Sequence, residues 1–370
     1  MGECDVAVVG AGPAGSATAL RLARAGCRVV LLEGSRFDMP RIGESLPPSV
    51  QPLLAELGVW QSFLDLGPLP SYGTRSIWGG AEAEQHSHLM SPWGSGWHVD
   101  RLGFDVLLSE RARDAGVTLL CGISLMWCDR ARQGWTLSLQ TDRSKAAPLD
   151  LRASVLVDAT GRGAHVAQRL GARRVLADHL VAVVTRFDGI ESTEQGYVMV
   201  ESTPDGWWYT APVPERRMVM ALMTDGDLYN RVRARSASAW RDRWESAEAT
   251  RARVAGGARS GKPRVVSAIS QRLRRRERHE PWLAVGDAAL SVDPISGSGV
   301  IRALRSARVA AQAVMSVLQD GGPAAIGAYE DACDRDWTAY VKERELYYGF
   351  EQRWTGSAFW QRRASASPAL

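Results

Sequence analysis

Apolar positions fall into two distinct patterns along the chain. Val6 to Val9 form an unbroken apolar run, followed by a glycine-rich break, a stretch with helical spacing, and a second apolar run, Val29 to Leu32, that ends in Glu33. Short continuous runs bounded by turn residues read as strands buried on both faces of a parallel sheet. Two more follow, Val155-Leu-Val-Asp158 before Gly161, and Leu283-Ala-Val-Gly286-Asp287. Between them the pattern alternates: residues 180–186, 197–202, 207–212 and 218–224 read as antiparallel strands, with a further strand near 75–79. Helices are predicted over 49–60, over 227–254 with Trp240 and Trp244 four apart, and from about 300 to 318. A final helical segment places Tyr329, Cys333, Trp337, Tyr340 and Arg344 on one face.

The break after the first strand reads Gly10-Ala-Gly12-Pro13-Ala14-Gly15. Its placement between a strand and a helix makes a common pattern informative, because each glycine then has a task that forbids a side chain. Gly10 turns the chain, Gly12 admits a pyrophosphate close to the backbone, and Gly15 lets the helix pack on the strand. The helix that starts at Pro13 aims free N–H groups and its positive dipole end at the phosphates. Glu33 suits a ribose diol and would repel a 2′-phosphate, so the expected ligand is FAD or NAD rather than NADP.

Composition narrows the class further. With 45% hydrophobic and 23% charged residues in 370, the chain has material for one large α/β domain and a second lobe. The apolar start at Val6 lacks a basic leader and a cleavage site, and no apolar run reaches membrane-spanning length, so a cytoplasmic protein without a transmembrane segment is expected. Five widely spaced cysteines (Cys4, Cys27, Cys121, Cys128 and Cys333) without a C-x-x-C pair argue against a disulfide framework or a structural zinc. His86 and His88 alternate in a polar stretch, but no carboxylate cluster accompanies them, so no metal site is expected. The formal charge of +4 is small. Its densest run, Arg272, Arg274, Arg275, Arg276 and Arg278, reads as a solvated edge strand or turn rather than a nucleic-acid site.

The later motifs decide between FAD and NAD. Asp158-Ala-Thr-Gly161 and Gly286-Asp287 are each a strand ending at a turn, and Asp293-Pro294-Ile-Ser296-Gly297-Ser298-Gly299 opens another helix. A second set of backbone donors fits the length of FAD. With these motifs in order, the chain resembles the FAD-dependent aromatic hydroxylases and flavin halogenases. The resemblance implies that Gly10, Gly12, Pro13, Ala14, Gly15 and Glu33 hold the ADP half, that Asp287 binds the ribityl or pyrophosphate region, and that Pro294, Gly297, Ser298 and Gly299 lie against the isoalloxazine. Arg41-Ile-Gly-Glu44-Ser45 and Trp97-His98-Val-Asp100-Arg101 match two more flavin-contacting segments, which adds Arg41, Ser45 and Arg101. Glu44 either hydrogen-bonds near the flavin or caps the following helix with Ser45. Phe104 and Asp105 read as a helix start with a capping acid.

The same resemblance implies an α/β fold: a Rossmann-like, glutathione-reductase-type FAD domain assembled from 1–50, 95–172 and 265–320, an antiparallel β-sheet substrate lobe from 51–94 and 173–264, and C-terminal helices in 321–370. A second nucleotide cradle is missing, so electrons are expected from transient NAD(P)H or a separate flavin reductase. The implied chemistry is oxygen transfer from a flavin hydroperoxide in a dry pocket. Halogenases of this group need a lysine on the strand that here reads Thr74-Arg-Ser-Ile-Trp78, and a glutamate where Ser296 stands. Both are absent. Gly206-Trp207-Trp208-Tyr209, Ile42-Gly-Glu-Ser-Leu-Pro47 and Gly96-Trp97-His98 are similar to halogenase-like maturation flavoproteins of cysteine tryptophylquinone enzymes, such as glycine and lysine oxidases. The resemblance therefore implies a monooxygenase acting on an aromatic small molecule or on tryptophan in a polypeptide. A halogenase, a double-bond reductase and a non-catalytic flavoprotein chaperone are the alternatives. For substrate chemistry the candidates are His98 as a base, or else a structural histidine, together with Trp207, Tyr209 and Ser296. Strand alternation places Trp207 and Tyr209 on one face and Trp208 on the other.

Overall fold

A computed structural model describes residues 2–141, 148–191, 196–235, 243–277, 280–320, 322 and 324–364. The continuous apolar runs form the centre of a seven-stranded sheet. Gly2–Val9 lies between Val29–Glu33 and Leu149–Asp158, all parallel, with Thr118–Cys121 and Trp282–Ala284 extending the parallel part. Val9 pairs with both Leu32 and Asp158, so the glycine break leaves the sheet at its carboxyl edge, level with both acids' strands. Helices Pro13–Arg24, Arg101–Asp114 and Gly299–Asp320 pack together on this sheet. The runs are buried because they are covered on both faces, and Val6, Ala7 and Val8 have no exposed surface.

The alternating segments form a second seven-stranded sheet. Its order is Ala258–Ser267, Leu180–Asp188, Arg217–Asp225, Gly206–Val213, Tyr197–Thr203, Gly73–Ile77 and Glu84–Ser87, antiparallel except where Gly73–Ile77 meets Tyr197–Thr203. Alternation splits it into two faces with separate apolar clusters. Trp207, Ala211, Val219 and Ala221 belong to one, and Trp208, Met218, Met220 and Leu222 to the other, which Val254 also joins. The helix Ala324–Gly349 binds the parts together with a buried face of Tyr329, Cys333, Trp337, Tyr340, Arg344 and Tyr348.

Several expectations are corrected. The helix expected over 49–60 is two, Val50–Glu56 and Trp60–Leu64, interrupted at Gly58, whose φ of +63° does not continue a right-handed helix. The helix expected over 227–254 is broken at 246–247, where helical residues 243–245 end and a separate helix, Glu248–Arg253, begins; Gly226–Arg235 is helical as expected, and Trp240 lies outside the described residues. Asp105 is not a cap. Asp100 caps the helix by accepting the Leu102 N–H at 3.0 Å. Asp105 is buried within the helix and paired with Arg41 at 2.8 Å and Arg101 at 3.1 Å, while Phe104 is core.

The arginine run is only partly a solvated edge. Arg272 is buried, donating to Asp334 at 3.0 Å and to the Glu330 carbonyl at 3.0 Å. The Arg275 side chain is buried over the Trp282 ring. Both reach partners that lie far away in sequence or on the next strand, and Arg278 is outside the described residues. Among the described residues, no helix is long and apolar enough to cross a membrane.

Candidate active site

The two sheets border a shared cavity of about 1140 Å³. Its first end is built from the carboxyl edge of the parallel sheet. Gly10 has φ +107°, and a Cβ there would stand 2.3 Å from the Ala159 carbonyl oxygen. A Cβ on Gly15 would fall 1.9 Å from the Gly10 carbonyl oxygen, so both positions require glycine on packing grounds alone. Gly12 differs. A Cβ there would meet no protein atom within 4 Å, and Gly12 lines the cavity. The empty space beside Gly12 is therefore the place a ligand's phosphates would fill. Helix Pro13–Arg24 begins here without a side-chain cap, leaving first-turn N–H groups for an anion.

Glu33 is held in a fixed orientation at the cavity. One of its oxygens accepts the Ala11 N–H at 2.9 Å, and the other accepts from the Ser35 hydroxyl at 2.6 Å and from Arg41 at 3.1 Å. Burial alone would raise its pKa, but the Ser35 hydrogen bonds and Arg41 outweigh it and hold the carboxyl below its ordinary value. Arg41 and Arg101 share Asp105, and Arg101 also donates to the Ile42 carbonyl at 2.6 Å. Asp287 stands 3.4 Å from Arg162. Asp293 accepts from the Ile295 N–H at 3.0 Å and sets the Pro294–Ser296 turn, after which Gly297, with φ +57°, leads into the helix Gly299–Asp320. These features fit FAD: a phosphate-sized gap, uncapped donors, a fixed ribose acceptor and a second backbone loop.

The other end is the inner face of the second sheet. Val198, Val200, Trp207, Tyr209, Ala221 and Met223 line it, while Trp208 faces the opposite cluster. The cavity reaches the surface beside His86 and Tyr347, both exposed, and Trp78 stands at this rim. Among the described residues, no lysine lines the cavity. One hydrogen-bonded chain joins the two ends. The Trp207 Nε1–H donates to the Tyr348 hydroxyl at 3.0 Å, and that hydroxyl donates to Asp293 at 2.7 Å.

Of the residues singled out in the sequence, Gly10, Gly12, Pro13, Ala14, Glu33, Arg41, Ser45, Arg101, Asp287, Pro294, Gly297, Ser298 and Gly299 line the cavity, as do Trp207, Tyr209 and Ser296. Gly15 lies behind the lining as a packing residue. The Ser296 hydroxyl reaches Ser298 at 2.9 Å.

His98 does not line the cavity. It sits fully buried on the strand Gly96–His98, where it pairs with Ser45 and Leu69. Burial and the Arg253 charge pull its pKa down to about 3, which makes it a weak proton acceptor, and without access to the cavity it is removed as the pocket base. Sequence reading missed Tyr348 and Asp293 as a link. A signal existed in Tyr348 continuing the buried helical spacing four residues beyond Arg344.

This constellation defines an FAD-binding flavoprotein of Rossmann-like architecture with a substrate chamber on a separate sheet. The chain belongs to the FAD binding domain family, which it matches over residues 3–343. It is 30% identical over 369 residues to the putative FAD-dependent oxidoreductase LodB of Marinomonas mediterranea, covering 99% of this chain and 98% of that one. A tryptophan 2-halogenase of Chondromyces crocatus is 29% identical, over 85% of this chain and 61% of its own. Among solved structures, the myxobacterial chondrochloren halogenase CndH superposes with a TM-score of 0.90 at 23% identity, covering all of this chain and 87% of that one. The peptidyl tryptophan dihydroxylase QhpG, essential for tryptophylquinone cofactor biogenesis, superposes with a TM-score of 0.74 at 25% identity, over 100% and 80%. The protein is an FAD-dependent oxidoreductase.

Proposed function

We propose that the protein is a monooxygenase that hydroxylates an electron-rich aromatic ring, with a tryptophan side chain of a partner polypeptide as the substrate. The observation that carries this reading is the chamber itself, an apolar, aromatic-walled space continuous with the FAD cradle and, among the described residues, lined by no lysine. Bound FAD supplies the redox chemistry, taking electrons from NAD(P)H or a flavin reductase and passing them to dioxygen. The chain's own residues then exclude water and hold the ring. Val198, Val200 and Ala221 give the chamber a low-dielectric wall, and Tyr209, only partly buried and backed by the fully buried Trp207, offers its ring to an aromatic guest. The opening beside His86 and Tyr347 suits a side chain delivered on a larger molecule. Similarity to a peptidyl tryptophan dihydroxylase supports the same substrate class.

Halogenation is the competing reading, supported by similarity to a tryptophan 2-halogenase. Among the described residues the cavity has no lysine of the kind the halogenase pattern demands, and Ser296, on its cofactor-side loop, stands where that pattern has a glutamate. The experiment supplies FAD-loaded protein with reductant, dioxygen and bromide, and offers a tryptophan-containing peptide beside free tryptophan. The expected product is peptide with oxygen added to the indole. Brominated product, or peroxide release with unchanged peptide and free tryptophan, would sink the proposal.

A further inference from the structure

Glu44 is a buried acid that the fold leaves half-paired. It immediately precedes the short strand Ser45–Leu46, lines the cavity, and is only 2% exposed. Its Oε2 accepts the Gly43 N–H at 3.0 Å, whereas its Oε1 is buried without a hydrogen-bond partner among the described residues. Glu44 caps no helix. Its backbone carbonyl instead accepts the Val99 N–H at 2.8 Å, which fixes the segment against the neighbouring strand. An unpaired carboxyl oxygen in a buried site costs stability. Such an arrangement is retained for something other than folding.

The cations nearby are committed elsewhere. Arg101 donates to the Ile42 and Gly43 carbonyls and pairs with Asp105, an approach that only a glycine at 43 permits, since a Cβ there would fall 2.5 Å from the guanidinium. Arg186 donates to the Arg41 carbonyl at 2.8 Å. Tyr209 couples electrostatically to Glu44 from the chamber wall. Burial raises the Glu44 pKa despite its backbone hydrogen bonds and the two arginines.

We propose that Glu44 is the proton acceptor of the chamber, taking the hydrogen that a ring carbon loses when its C–H becomes C–OH. This rests on the monooxygenase reading above. In the balanced reaction, dioxygen and two electrons from the external reductant, with two protons, convert R–H to R–OH and water. Within it, the ring C–H bond breaks, its electron pair restores the aromatic π system, and the proton passes to the Glu44 carboxylate, which later returns it to solvent.

The other charged and titratable neighbours come from every element around it: Arg101 and Asp105 on the helix Arg101–Asp114, Arg186 on the strand Leu180–Asp188, Tyr209 on Gly206–Val213, His98 on Gly96–His98, and Arg253 behind Tyr209. His98 stays neutral above about 3, and burial holds Tyr209 neutral. His88, which also lines the cavity, titrates too, with burial lowering its pKa, so the variant and not the pH limb alone assigns the group.

A base must be ionised to act, and a raised pKa moves its acid limb upward. Turnover should therefore fall on acidification at a pH above the ordinary carboxylate range, whose usual value is 4.5. Glu44→Gln should lower kcat about a hundredfold and abolish that limb, with KM and FAD content changed no more than about twofold. Glu44→Asp should keep the limb at reduced kcat, which also serves if the Gln variant folds poorly. Infrared spectra of the FAD-loaded protein give an arm independent of turnover: a protonated-carboxyl C=O band that titrates above the ordinary range and is missing in Glu44→Gln. Wild-type kcat with the same acid limb in Glu44→Gln, or identical infrared titrations, would overturn the assignment. If the band behaves as expected but no aromatic substrate is hydroxylated by the wild type, the functional reading fails instead.

Discussion

The two ends of the cavity are built in opposite ways. At the cofactor end, recognition lies in the backbone: Gly10 and Gly15 are required by contacts with the chain itself, Gly12 is shaped around a ligand, and Glu33, Arg41, Asp105 and Arg101 form a continuous polar brace. At the chamber end, recognition lies in side chains on a regular sheet, where any residue of suitable size satisfies the strand. The cofactor end is thereby committed to one ligand class, whereas the chamber can change guest by exchanging Val, Ala, Trp or Tyr without altering the fold.

The strongest test of this contrast compares two glycines. Gly12→Val should fold with a near-native melting curve yet bind FAD at least about a hundredfold more weakly, roughly 3 kcal/mol, because its side chain enters ligand space only. Gly15→Val should lose fold stability as well, by at least about 1–3 kcal/mol from overpacking. Equal melting losses in both variants, or yellow Gly12→Val protein with stoichiometric FAD, would dissolve the distinction.

At the chamber end, Trp208→Ala should destabilise by about 3–5 kcal/mol, since it empties the cluster behind the sheet. FAD affinity should be unchanged. A loss of FAD with no drop in melting temperature would place Trp208 on the wrong face.

His98 gives a pH test between the ends. Its pKa drops from an ordinary 6.5 to about 3 on folding. The unfolded chain therefore binds a proton that the folded one refuses, and stability contributed by neutral His98 is present above 6.5 and lost as pH falls toward 3. The slope is at most about 1.4 kcal/mol per pH unit. His98→Gln should flatten the decline in melting temperature between these values and leave the pH–rate profile unmoved. A shifted rate profile in that variant would restore His98 to the chemistry.

A smaller loss than for Trp208→Ala is expected for Trp207→Phe, which removes the donor to Tyr348 and part of a buried ring and should cost roughly 1–3 kcal/mol. We expect its FAD content to hold while peroxide release rises relative to product, measured as oxygen uptake against hydroxylated peptide. The same coupling in Trp207→Phe and Tyr209→Phe as in wild type would remove this strand from substrate handling.

Four parallel strands, the cradle and the strands near 75–79, 180–186, 197–202, 207–212 and 218–224 were legible because period and glycine spacing are local constraints, whereas the fifth parallel strand, Thr118–Cys121, went unread. Gly10 is required by its φ and Gly15 by the Gly10 carbonyl five residues back, although both also press on Ala159 of the neighbouring strand's end. Asp105 and Arg272 were misread because their burial depends on Arg41 and on Asp334, partners that spacing cannot supply. His98 was misassigned for a related reason. In a three-residue strand nothing local tells which side faces a cavity, and the neighbouring Gly96–Trp97 pattern is compatible with either. Tyr348 was invisible as a link because its two partners, Trp207 and Asp293, come from different sheets and loops.

That link has a thermodynamic consequence. Trp207, in the chamber wall, and Asp293, at the root of the cofactor-side loop, hang from one phenolic oxygen. Should occupancy at one end shift this link, the other end responds through a shared free energy, and such a coupling is reciprocal. Whatever factor an aromatic guest contributes to FAD affinity, FAD must return to the guest. Tyr348→Phe should drive that factor toward one from both directions, so that the two binding events become independent.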